Sequence, residues 1–148
     1  KGAFVYENME TSMDGVFACG NVCHVHDLVD FVTGESQKAG KAAAKYISEN
    51  SSSEFRKIEI LNGEGIFYTV PQNIRVENME NRLEIFFRVK SVEKNIVISV
   101  TDENGNIIKE FKRPHVAPAE MEKISLTKKQ IESVSTDRII ISMKKGVE

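Results

Sequence analysis

Four side chains of the kinds that bind soft metals or carry redox chemistry, Cys19, Cys23, His24 and His26, fall within eight residues. Tetrahedral zinc takes cysteine thiolate and histidine nitrogen, so zinc is the first chemistry to weigh. Spacing argues against it. Zinc modules separate two ligand pairs by about a dozen residues so that the chain can wrap the ion, whereas here a strand end and a helix start compete for the same backbone. No metal site is expected. A redox pair is equally weak: Cys19 and Cys23 are spaced Cys-x-x-x-Cys rather than with the usual two-residue gap. Cys19 reads instead as a small core residue. Beyond residue 54, Ser125 and Ser133 have no histidine at a telling spacing. His115 stands alone in Arg113-Pro114-His115-Val116-Ala117-Pro118, a rigid solvated loop. No catalytic residue is expected.

Between the cysteines lies Gly20-Asn21. An apolar strand that ends in glycine brings bare backbone up to a ligand at the carboxyl edge of a sheet, where α/β folds place cofactors. A helix that follows aims its amide hydrogens and positive dipole end at an electron-rich group. Taken alone, a Gly-Asn pair is a tight turn.

The elements that would position this corner are legible. Gly2–Tyr6 and Val16–Cys19 read as short strands joined by Asn8–Gly15. A helix follows with Asp27 as N-cap, its inward face drawn by Val29, Val32, Ser36, Ala39, Ala43, Tyr46 and Ile47. From Phe55 the period changes to two. Strands are expected at Arg56–Leu61, Gly65–Val70, Arg82–Val89, Asn95–Thr101, Ile107–Phe111, Met121–Leu126 and Arg138–Met143, roughly seven and spaced as in an immunoglobulin-like sandwich. Asp102-Glu103-Asn104-Gly105 has hairpin chemistry, and Thr127 caps a short helix before the last strand. The prolines at 71, 114 and 118 are placed outside strand interiors, because proline gives no amide hydrogen to a ladder.

Composition divides in the same place. Of fifteen isoleucines only Ile47 precedes residue 50, whereas six of eight alanines do. The expected fold is therefore an α+β composite: residues 1–50 as a strand-turn-helix unit and 54–148 as a β-sandwich, joined through Asn50-Ser51-Ser52-Ser53. Twenty basic against twenty-two acidic residues leave a net charge of -2, which gives no electrostatic footprint for nucleic acid. No apolar run approaches the roughly 20 residues of a bilayer crossing, and no leader pattern is present, so a cytoplasmic protein without membrane insertion is expected. Because the chain opens at Lys1 within strand-like sequence, it is expected to continue a longer one.

The stretch Gly2-Ala3-Phe4-Val5 with Thr11-Ser12-Met13-Asp14-Gly15-Val16-Phe17-Ala18-Cys19-Gly20-Asn21-Val22 resembles the last FAD-binding segment of the pyridine nucleotide-disulfide oxidoreductase family. That pattern is Thr, three variable residues, Gly, an aliphatic residue, Phe or Tyr, Ala, any residue, Gly and Asp. Every position but the last is met, Asn21 standing for the aspartate. The continuation His24-Val25-His26-Asp27-Leu28-Val29-Asp30-Phe31, with Ala39-Gly40-Lys41-Ala42-Ala43, is similar to the branch of FAD-dependent oxidoreductases found beside anaerobic glycerol-3-phosphate dehydrogenases.

The resemblance implies that residues 1–50 are the C-terminal segment of a Rossmann-like FAD-binding domain. It implies cofactor contacts from Gly20, Asn21, Val22, His26 and Asp27, with a histidine of the Val22–Asp27 loop donating to the flavin or relaying protons. The parent would be an NAD(P)H oxidoreductase, its other domains holding the nucleotides, with a glycerol-3-phosphate dehydrogenase-like subunit or a second copy as partner. The family's Gly-x-Gly-x-x-Gly loop and redox cysteine pair have no counterpart here, so this chain alone is expected to be inactive and not to hold FAD. The competing expectation is a non-enzymatic β-sandwich interaction module. Under the flavin reading Val16–Cys19 is docked on a neighbouring chain or is irregular and mobile. Under the other it is a full strand of the sandwich, with Gly20 and Asn21 buried.

Overall fold

A computed structural model describes residues 2–49 and 54–146. The proposed boundary at 50–53 therefore lies outside the described residues. The chain is mostly β, arranged as two sheets with one long helix, α1 (Val29–Ser48). Strands β1 (Lys57–Asn62), β2 (Ile66–Val70), β3 (Asn73–Arg75), β4 (Arg82–Val89), β5 (Glu93–Asp102), β6 (Ile107–Val116) and β7 (Glu122–Thr127) precede a short helix, α2 (Lys128–Glu132), and the final strand, β8 (Arg138–Lys145). The five-stranded sheet runs β3-β1-β8-β5-β6 and the three-stranded sheet β2-β4-β7. All pairings are antiparallel except β1 with β8, where Ile60 lies opposite Ile139.

Alternation builds the core. On β4, Leu83, Ile85, Phe87 and Val89 are buried in alternate positions, and they meet Ile58, Ile60, Ile98, Val100, Ile124, Leu126, Ile139 and Ile141 from both sheets. Seven expected strands are found, and β3 is an eighth; its three residues are too few to show a period. The hairpin forms as expected: Asp102 Oδ1 accepts from the amides of Asn104 and Asn106, and Gly105 takes φ +84°. Thr127 and Gln130 close a reciprocal capping box on α2.

Pro114 is a correction, because it lies inside β6. That strand is the outer edge of its sheet, where one row of amides needs no partner, so proline is tolerated.

The first 28 residues differ most from expectation. Gly2–Tyr6 and Val16–Cys19 are not strands; their only ladder contacts are isolated bridges, Val5 with Thr11 and Glu10 with Phe17. This irregular segment packs against the chain's own sheets, through a second apolar cluster of Val5, Met9, Cys23, Ala39 and Val70. Polar contacts reinforce it. Val5 exchanges two hydrogen bonds with Gln72. The Arg75 guanidinium reaches Glu7, Asn8 and Glu10, lying 4.5 Å from the Tyr6 ring centre.

Helix α1 starts at Val29 with Leu28 as N-cap and no side-chain cap. Asp27 does not cap it, since its carboxylate is taken by Arg88 of β4 and by the Met121 amide. The inward face is also rotated from expectation. Val32, Ala39 and Ala43 face in, with Glu35 buried among them, but Ser36 and Tyr46 are exposed, and Val29 and Ile47 are 79% and 84% exposed. The helix buries Glu35 and Ala39, and near its end Tyr46 still packs edge-on to Phe17, with ring centres 6.1 Å apart.

Candidate functional site

The structure gathers a cluster around Glu35. Gly20, at φ +70°, turns the chain into a short 3-10 segment, Gly20–Val22, and its carbonyl accepts from the amides of both Cys23 and His24. The turn lays His24 and His26 over the second turn of α1. Both rings fall on one side of the chain, where each reaches Glu35. Their centroids are 4.1 Å apart and inclined by 60°. His24 Nε2 lies 2.9 Å from Glu35 Oε1, and His26 Nε2 lies 3.0 Å from Glu35 Oε2. The Gly20 amide donates to Oε2 at 2.6 Å. All three side chains are withdrawn from water, with 2%, 0% and 5% exposure respectively.

Charge and protonation follow from these contacts. Burial alone would push the Glu35 carboxyl up, but hydrogen bonds from His24, His26 and the Gly20 amide outweigh it and hold the group below the ordinary carboxylate range. An ionised carboxylate only accepts, so the proton in each contact sits on the histidine Nε2. Both Nδ1 atoms are buried and have no hydrogen-bond partner among the described residues. Phe86 packs edge-on to His26, with ring centres 5.9 Å apart, and Tyr68 packs edge-on to His24 at 6.1 Å. Glu35 also borders a cavity of about 180 Å³ lined by Asp30, Phe31, Lys38, Glu84 and Phe86.

The residues expected to contact a cofactor divide into two sets. Gly20 is buried, while Asn21 and Val22 are exposed at the outer face of the turn. His26 points inward to Glu35. Asp27 is held by Arg88, and burial, which would raise its carboxyl, is outweighed by that hydrogen bond and the Met121 amide, leaving it below its ordinary value. Cys19 is half-buried against the second apolar cluster, as a small core residue should be. Cys23 is buried, and its thiol is pushed up to about 12 by burial first and then by Glu35 and Cys19, so it stays protonated and unreactive near neutral pH. His115, on the edge strand β6, meets only Glu120 at 3.7 Å.

Glu35 is the residue that sequence reasoning missed. One signal was present: it lies three residues after Val32 and four before Ala39, on the face those apolar residues draw, where a carboxylate needs partners. Neither family models, curated proteins nor solved structures gave any match to this chain.

Proposed function

We propose that this chain is the C-terminal part of a FAD-dependent NAD(P)H oxidoreductase, contributing the last flavin-facing corner and a β-sandwich docking module, and inactive by itself. The carrying observation is the corner. A motif met at all but its last position ends in a buried glycine at positive φ that presents Asn21 and Val22 outward, with a long helix behind. A cofactor edge can approach from that side. A Cβ added at Gly20 would meet only Val32, at 3.6 Å, so the glycine serves the turn and not a crowded contact. Asn21, as both donor and acceptor, suits a ribityl chain, and Val22 suits the ring edge.

FAD, when bound, would supply the electron-accepting ring; this chain's part is to shape one wall and to anchor it. His26 and Asp27 act behind that wall, His26 holding the loop to α1 and Asp27 holding it to β4. Gly20, Asn21 and Val22 do not line the cavity beside Glu35. Val22, Val25, Leu28 and Val29, all within eight residues, are each more than half exposed, as expected of a surface that more protein covers. On this reading the sandwich is an immunoglobulin-like frame for a Rossmann remnant.

The rival, a non-enzymatic interaction module, is favoured by one observation: residues 2–28 are packed on the chain's own sheets. Visible flavin absorbance of the full-length gene product, beside Asn21→Leu, separates the two. Flavin in the wild type and its loss from the variant support the proposal; a colourless wild type rejects it.

A further inference from the structure

We propose that His24, His26 and Glu35 form a binding site for a divalent transition-metal ion of the zinc class, independent of whether a flavin is bound. The three residues offer donor atoms that all lie within 4.8 Å of one another, inside a shell of Phe31, Tyr68 and Phe86. Two imidazoles and a carboxylate are the donor set of three-ligand sites that keep a position open. A zinc-class ion sits about 2.0–2.2 Å from such donors, which puts tetrahedral donors roughly 3.3 Å apart. The two histidine–carboxylate separations, 2.9 Å to Oε1 and 3.0 Å to Oε2, lie a few tenths of an ångström inside that spacing, and the donor set as a whole spans no more than 4.8 Å.

Spacing in the sequence argued against zinc because it was judged on cysteine and histidine alone. The third donor comes from the helix, nine residues after His26. The cysteines are not needed: the thiol of Cys23 belongs to the apolar cluster beside the site.

Each ring donates from Nε2 to Glu35 and has an Nδ1 without a partner among the described residues. An ion that takes Nε2 displaces the proton held there and leaves Nδ1 as the ring nitrogen that can carry one. The Gly20 amide already orients the carboxylate from behind. The imidazoles lack such supporting partners, so affinity is expected to fall about 10–100-fold short of a fully supported site. Asp30 and Glu84 line the cavity that borders Glu35 and favour cation entry, with Lys38 as the one opposing charge among its lining residues.

The test titrates the chelator-treated chain with Zn²⁺ by calorimetry and with Co²⁺ by visible absorption. One ion per chain, with Co²⁺ bands of nitrogen and oxygen ligation and no thiolate charge-transfer band, is expected. His24→Ala and Glu35→Gln should each weaken binding by at least about tenfold, and His115→Ala should not. Should the variants fail to fold, ring-nitrogen NMR of the wild type serves: Zn²⁺ should shift His24 and His26 and leave His115 in place. No binding, a thiolate band, undiminished binding by a folded Glu35→Gln variant, or ring shifts confined to His115 would each overturn the proposal.

Discussion

The sandwich and the segment in front of it are held together by different mixtures of contacts. Between the sheets, Ile58, Ile66, Ile74, Leu83, Ile85, Phe87, Leu126 and Ile141 are each no more than 1% exposed, and the cohesion is apolar. In the first 49 residues burial is shared between a small apolar cluster, Val5, Met9, Cys23 and Ala39, and polar groups: Glu7, Glu10, His24 and Glu35 are buried as well, and Arg75 and Arg88 of the sandwich reach across to that segment. The difference matters because the two kinds of contact fail differently. A core loses a little per methylene removed, whereas a buried charge that loses its partner costs several kcal/mol at once. The polar part of this fastening rests on a few points, and one of them, Asp27 with Arg88, directly follows His26 in the chain.

Changes to each region should separate them. The largest effect is expected from Phe87→Ala, which empties the centre of the sandwich and should cost about 3–5 kcal/mol in denaturant unfolding. A loss below about 1 kcal/mol would mean the core is not where stability resides. Arg75→Met should come next, at about 3 kcal/mol, because it leaves Glu7 and Glu10 buried without their cation. Hydrogen exchange should then rise in residues 2–18 while β4 and β5 stay protected; equal loss in both would erase the distinction drawn here. Thr127→Ala removes the reciprocal cap on α2 and should cost about 1 kcal/mol without touching the segment.

Acid sharpens the comparison on the sandwich side. The side-chain amide of Asn106, then backbone amides of Asn106, Asn104 and Gly105, hold the Asp102 carboxyl below its ordinary value of 3.8. A group lowered in the folded state adds stability above its unfolded pKa and loses it as pH falls through the folded one. Asp102→Asn should therefore flatten part of the stability loss below about pH 4, and an unchanged acid limb would contradict the assignment. The smallest effect is expected from Ile47→Lys, within about 0.5 kcal/mol, since that side chain projects from α1 into solvent.

How far the sequence disclosed all this follows the same division. Seven strands, the Asp102–Gly105 hairpin and the Thr127 cap were legible because each depends on local pattern: alternation, a turn tetrapeptide, a capping pair. Pro114 misled because edge position, which decides whether a strand tolerates proline, is a property of the sheet and not of the run. In the first part, Val16–Cys19 has strand composition but pairs only through the single bridge of Phe17 with Glu10, and composition cannot supply a ladder. Asp27 has the chemistry of an N-cap, yet Arg88, sixty-one residues away, binds it more strongly. Glu35 was passed over because a charged residue in a helix is ordinarily solvated. Only the fold shows that two histidines and an amide wait for it.

The central claim is that the Gly20–Asn21 corner is one wall of a flavin site. The most direct measurement is the flavin content of the purified full-length gene product, read by visible absorbance and confirmed by cofactor release on denaturation. The account predicts near-stoichiometric FAD that falls sharply in Asn21→Leu while the variant's fold is retained. A colourless wild type, or FAD bound equally by both proteins, would contradict it.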